Sequence, residues 1–123
     1  MRSHHAEVIA CDDRKNKEGV VTTTMVDIHD HRGRFFEVLQ ETERTQTAVM
    51  TIAPGQDGGP EETHAGDQVV FVVEGEAIVT VEGTAHQARA GACVLIPAGA
   101  LHHVRNPGAQ PLFFLTVYAP PAY

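Results

Sequence analysis

The run Gly91-Ala92-Cys93-Val94-Leu95-Ile96-Pro97-Ala98-Gly99-Ala100-Leu101-His102-His103-Val104-Arg105-Asn106 decides how the rest of the chain is read. Its first half, Ala92–Ile96, is short, apolar and β-prone, and Pro97-Ala98-Gly99 closes it. A second short run, Leu101–Arg105, follows and is closed by Asn106-Pro107-Gly108. Brief β-prone runs cut by Gly and Pro read as strands joined by turns, because both residues break regular structure. Successive side chains on a strand point to opposite faces, so His102 and His103 cannot share one. His103 is expected on the surface or in an interface.

The same pattern extends in both directions. Strands are expected at Arg34–Gln40, Thr45–Ala53, Asp67–Val73, Ala77–Val81, Ala85–Ala88 and Leu112–Tyr118. Between them, Pro54-Gly55-Gln56-Asp57-Gly58-Gly59-Pro60 has five Gly or Pro in seven residues and reads as a loop. No segment past Arg34 repeats apolar residues at helical spacing. The predicted class is all-β, a sandwich or barrel, and a barrel removes the open edges that so many strands create. Val70, Val72, Ile78, Val94, Ile96, Leu112 and Leu115 are core candidates, and Cys93 is expected to pack with them. Residues 1–33 form a polar leader. In it Asp12–Gly19 is a solvated charge run, Val20–Ile28 a strand able to pair, and His29–Gly33 a turn. The domain plan is thus a leader over 1–33 and a β-barrel over 34–123.

A chain of 123 residues has room for one domain and one hydrophobic core. Its 9 Lys plus Arg against 16 Asp plus Glu give a net charge of −7. That excludes nucleic acid and anionic membrane surfaces as partners, since no basic stripe exists to meet phosphates. No apolar run is long enough to span a bilayer. Met1-Arg2-Ser3-His4-His5 leads into no apolar signal segment, and His4 and His5 read as a frayed end. Two cysteines make no disulfide framework, so a reducing cytoplasm is the expected location.

Chemistry concentrates in Glu62-Thr63-His64-Ala65-Gly66-Asp67-Gln68 and at His102. Glu62, His64 and Gln68 share one parity, so an extended backbone points all three the same way. An antiparallel neighbour would bring His102 opposite His64. Two imidazoles and a carboxylate suit a first-row metal with open positions such as Fe(II), with zinc and manganese alternatives. Gln68 would add a weak neutral oxygen or orient a bound water. The plainer readings are two hydrogen-bonded histidines, a solvated Glu62 beside Glu61, and a Gln68 that only hydrogen-bonds in the pocket. His29 and His31 alternate as a metal pair would, but Asp30 and Gly33 mark a turn instead.

These residues carry a resemblance to the cupin superfamily. The first cupin motif runs Gly, five residues, His-x-His, three or four residues, Glu, six residues, Gly. Here its opening Gly would fall at Gln56, one residue after Gly55. Glu62 stands at the first His, His64 matches the second, Gln68 stands at the Glu, and Gly75 closes it. The second motif is met at Gly91, Pro97, Gly99, His102 and Asn106 with every spacing intact. The ending Val117-Tyr118-Ala119-Pro120-Pro121 is also similar to that of small bacterial cupins, some labelled isomerase-like. The resemblance covers 62–106 by motif and roughly 35–119 by strand pattern. It implies a double-stranded β-helix, or jelly-roll barrel, with one divalent metal (iron, zinc, manganese or nickel) inside and a homodimeric assembly.

Together these readings predict a small cupin that binds a small molecule at a metal held by Glu62, His64, Gln68 and His102. As an enzyme it would be a metal-dependent oxygenase with Glu62 as ligand or general base. Two alternatives stand beside it: a non-catalytic binding module and a sugar isomerase of the mannose-6-phosphate type. The isomerase ranks lower because only Arg89 lies between Glu62 and His102 to meet a phosphate. Val69, Phe71 and Val73 have the parity opposite to Gln68. They should face outward and be covered by the leader or a second subunit.

Overall fold

The alternation between Gly and Pro breaks resolves into eight strands in a computed structural model that describes residues 21–123. They are β1 (Phe36–Glu41), β2 (Gln46–Ile52), β3 (Asp67–Glu74), β4 (Glu76–Val81), β5 (Thr84–Arg89), β6 (Cys93–Ile96), β7 (His102–Arg105) and β8 (Leu112–Ala119). The Asp12–Gly19 charge run, the terminal His4 and His5, and Cys11 lie outside the described residues.

All pairings are antiparallel. One sheet has the order β1-β2-β8-β3-β6 and the other β5-β4-β7. Their inner faces meet in one aliphatic core. Val70 and Val72 from β3, Leu112 and Phe114 from β8, and Ile52 and Ile96 come from the larger sheet. Ala77, Val79, Ala88 and Val104 come from the smaller. Each large apolar side chain buried there contributes roughly 1.5–3 kcal/mol relative to exposure. This is the jelly-roll architecture that the strand pattern and the motifs imply.

Several expectations need correction. Ile78 and Leu115 are only half-buried, because β4 turns Ala77 and Val79 inward and β8 turns Leu112, Phe114 and Thr116 inward. Cys93 is exposed. It pairs with Phe71 on the outer face, while Val94 and Ile96 take the inner positions of β6. Residues 22–27 form no strand, and Ile28–His31 make a single turn of 3-10 helix. Two side-chain contacts replace the ladder there. The Gln40 amide donates to the Thr24 carbonyl and hydroxyl at 3.1 and 2.9 Å, and Asp27 accepts from the His29 N–H at 3.0 Å. After the helical turn Arg32 forks onto Glu74 and lies over Phe113 at 5.5 Å, which closes that end of the outer face.

Val69, Phe71 and Val73 do face outward, as their parity predicts. Phe71 is 38% and Leu95 63% exposed; Leu95 pairs with Val69 and stands diagonal to Phe71 across β3 and β6.

Two glycines are required by space. At Gly66 a β-carbon would fall against the Ala119 carbonyl and Pro120, so only glycine lets the loop before β3 pass the end of β8. Gly75 has φ +87° and its β-carbon would stand 2.6 Å from the Pro111 carbonyl oxygen.

Candidate functional site in the barrel mouth

The loop that precedes β3 runs antiparallel to the segment of the second motif. The Gly55 N–H donates to the Asn106 carbonyl, and Asn106 N–H to the Gln56 carbonyl, at 3.0 and 2.9 Å. Glu62 and His102 exchange both backbone bonds, at 3.1 and 3.0 Å, and Gly99 N–H donates to the His64 carbonyl at 2.8 Å. The Ala98 N–H reaches the Asp67 carboxylate at 3.0 Å. The turn Pro97-Ala98-Gly99 is therefore stitched to the loop carrying Glu62 and His64. That stitching, more than strand pairing, brings the two motifs together.

The register differs by two residues from the expected one, which keeps the same side chains on the same face. His102 stands opposite Glu62, and His64 faces Gly99. Paired residues in such a bridge point to one side, so His102 and Glu62 share a face. The two imidazoles still meet, with ring centroids 5.1 Å apart. The backbone also bends at Ala65 and Gly66. Gln68 reaches the same interior through the inward parity of β3, not through unbroken alternation from Glu62.

Each polar group has a defined state. His102 is buried, and its Nδ1 lies 3.0 Å from the Ala100 carbonyl oxygen. A carbonyl only accepts, so Nδ1 is the donor, and Nε2 is the nitrogen left without a hydrogen bond among the described residues. Burial holds His64 below its ordinary pKa; the Glu62 carboxylate opposes this, and His102 adds to it. His64 is therefore neutral at pH 7. The Glu62 carboxylate lies 3.9 Å from His64 Nε2 and accepts a hydrogen bond from the Tyr123 hydroxyl at 3.2 Å. The Gln68 amide donates to the Thr116 hydroxyl at 3.0 Å. Its Oε1 is buried with no hydrogen-bond partner among the described residues. A buried orphan acceptor is costly unless something occupies the space before it.

These groups open onto a cavity of about 220 Å³, which Glu62, His64, Gln68 and His102 all line. The other walls are mostly apolar and aromatic, from Phe35, Phe36, Met50, Phe114, Tyr118 and Tyr123. Tyr118 and Tyr123 flank His64, with centroids at 5.2 and 5.6 Å. Burial is the first cause raising both phenol pKa values. Each phenol therefore stays protonated and can donate.

Neither tyrosine was expected at the site. Tyr118 had a readable signal, since it shares the inward parity of Phe114 and Thr116. Tyr123 had none. Its place is set by buried Gln46, whose amide donates to the Tyr123 carbonyl at 2.7 Å and whose oxygen accepts from the Ala122 and Tyr123 N–H groups at 3.2 and 3.1 Å. His103 points onto Asp57, with Nε2 3.4 Å from the carboxylate. His29 and His31 contact Arg32 and Glu37, away from the cavity.

The donor set fits a divalent cation in its chemistry: the imidazoles of His64 and His102 and the side chain of Gln68, whose amide oxygen is unpartnered, line one cavity, with a carboxylate at its edge. Among the described residues no three His, Cys, Asp or Glu side chains form a complete ligand group. Glu62 stays beside Tyr123 in this arrangement.

The comparisons with known proteins agree with the fold and the motifs. The family model for the cupin domain matches residues 48–118, and the chain belongs to that family. It is 38% identical over 89 residues to the uncharacterized protein SCO3923 of Streptomyces coelicolor, across 72% of this chain and 82% of that one. The solved structure of BH2720 from Bacillus halodurans superposes with a TM-score of 0.75 at 32% identity, over 83% of this chain and 84% of that chain. TT1209 from Thermus thermophilus superposes at 0.68 with 29% identity, over 77% and 96%. Among the described residues no helix is long and apolar enough to cross a membrane.

Proposed function

We propose that this cupin binds a small molecule in the barrel mouth beside one divalent metal, and acts on it as a metal-dependent oxygenase of the cytoplasm. The observation that carries the reading is the convergence of His64, His102 and Gln68, whose Oε1 is unpartnered, on one cavity. His64 and His102 would hold the metal through ring nitrogens. Glu62 is 44% exposed at its side chain, so it is free to turn toward them as a further ligand or to take a proton from the bound molecule. Gln68 is either an oxygen ligand or an acceptor for a group bound next to the metal. A bound metal supplies Lewis acidity, or oxygen activation if it is iron. The apolar walls bind and orient the substrate and exclude water.

A non-catalytic binding role is the second reading, supported by the neutral Gln68 and by the separation of Glu62 from the imidazoles. The sugar-phosphate isomerase reading has less support, since among the described residues no Lys or Arg lines the cavity. The outward strip of Val69, Phe71 and Leu95 supports a homodimer formed through the β3–β6 face. The test is elemental analysis of purified protein beside His64→Ala and His102→Ala. Near-stoichiometric metal in the wild type, lost from both variants, is expected. Equal metal in all three would refute the site. Failure of the wild type to take up any metal on reconstitution would leave the binding role.

A further inference from the structure

We propose that Tyr123 is a positioning residue: its hydroxyl holds the Glu62 carboxylate away from the two imidazoles and so keeps Glu62 out of the metal's ligand set. The proposal rests on the metal reading above. It decides between the two roles which that reading gives to Glu62, and leaves it the proton-accepting one.

The first observation is how little else fixes the Glu62 side chain. Its backbone is pinned, because Glu62 and His102 exchange both main-chain hydrogen bonds. Rotation about the side-chain bonds therefore sets where the carboxylate lies. Among the described residues its one side-chain hydrogen bond comes from the Tyr123 hydroxyl, at 3.2 Å to Oε1. The same Oε1 stands 3.9 Å from His64 Nε2, beyond hydrogen-bond reach. Phenol and imidazole thus compete for one oxygen, and the phenol holds it. Burial and the neighbouring carboxylate keep the phenol protonated, so Tyr123 donates and Glu62 accepts.

The second observation is how firmly Tyr123 is seated. Residues 120–123 run on past β8 with no further strand to hold them. Gln46 replaces the ladder. It is buried, and its amide is fully used. The nitrogen donates to Glu41 Oε1 at 2.9 Å and to the Tyr123 carbonyl, and the oxygen accepts from the Ala122 and Tyr123 N–H groups. Three of these four bonds go to the backbone of residues 122 and 123. Breaking them strands a buried amide, which opposes release of the segment. The ring then packs on Phe36 and Tyr118, with centroids at 4.9 and 5.4 Å. Backbone clamp and ring contacts together aim the hydroxyl at Glu62. The carboxylate is thus held by a residue whose own place is set at β2, on the far side of β8 from β3.

The experiment compares wild type, Tyr123→Phe, Glu62→Gln and the double variant, with cobalt(II) as the probe. Tyr123→Phe keeps the ring and removes only the hydroxyl. Affinity is read by competition with a chelator, and coordination by the visible spectrum. Tyr123→Phe is expected to bind cobalt(II) about fivefold more tightly, the scale of one hydrogen bond given up to ligation. Its spectrum should change as an oxygen joins the ligand set. Tyr123→Phe introduced into Glu62→Gln should produce neither change. Crystals of chelator-treated Tyr123→Phe should show the Glu62 carboxylate moved from its wild-type place. Equal or weaker cobalt binding in Tyr123→Phe, an unchanged spectrum, a gain that survives Glu62→Gln, or an unmoved carboxylate overturns the proposal. Wild type that takes up no cobalt overturns the metal reading and the proposal with it. Cobalt bound alike by wild type and Tyr123→Phe overturns the proposal alone.

Discussion

At the scale of single residues, His64 carries the clearest pH signature. Burial lowers its folded-state pKa, so folding favours the neutral ring. This contribution to stability is complete above the unfolded value of about 6.5 and is lost as pH falls from there through the lower folded value. Chelator-treated protein should therefore lose stability on acidification below pH 6.5. His64→Gln should lose less over the same window, as read by denaturant midpoints. A steeper loss in the variant would refute the assignment. Asn106 gives a second prediction. It is fully buried; its amide donates to the Ile52 and Gln110 carbonyls at 2.9 and 2.8 Å, and its oxygen accepts from Gly108 N–H at 2.9 Å. Asn106→Leu strands two carbonyls and an N–H, and should cost about 3 kcal/mol by chemical denaturation. The histidines and Asn106 were legible because fixed spacings name them. Tyr123 was not, because its position depends on Gln46, 77 residues away in sequence.

At the scale of elements, the strands after Arg34 fall within a residue or two of their expected bounds. Their ends are set by Gly and Pro, and those are local signals. Glu82 and Gly83 show how local: both have positive φ, at 49° and 83°, and the two residues alone join β4 to β5. The segment Val20–Ile28 misled because β-prone residues need a neighbouring edge, and between residues 22 and 27 side chains of Gln40 and Asp27 hold the backbone instead. The faces of β4, β6 and β8 were legible only in part. An apolar residue on a strand whose two neighbours are also apolar does not reveal its side, and Ile78 and Cys93 are such cases; at Leu115 the inward neighbour Thr116 is polar, which points the parity the wrong way. Gly75→Ala tests the crossing of the β3–β4 turn over Pro111. Its positive φ and the close Pro111 carbonyl predict a loss of about 1–3 kcal/mol in thermal or denaturant unfolding. An effect within about 0.5 kcal/mol would show that the turn relaxes freely.

At the scale of the whole molecule, the larger sheet has an apolar flank and the barrel has a polar mouth. Phe71 and Leu95 lie on the flank with the thiol of Cys93 beside them. A solution dimer through that flank should sediment as a single dimeric species. Leu95→Glu should convert it to monomer without changing metal content, and a Leu95→Glu variant that stays dimeric would move the interface elsewhere. The mouth gathers residues from the loop before β3, from β3, from β7, from β8 and from the last residues of the described chain. No single segment contains it, which is why sequence alone located the imidazoles but not the walls around them. The central claim is that His64 and His102 face one bound metal inside this cavity. Anomalous diffraction from crystals of metal-loaded protein tests it most directly. One peak in the cavity beside the two imidazoles is the predicted result. A peak elsewhere, for example near His29 and His31, or no peak from protein that carries stoichiometric metal in solution, would contradict it.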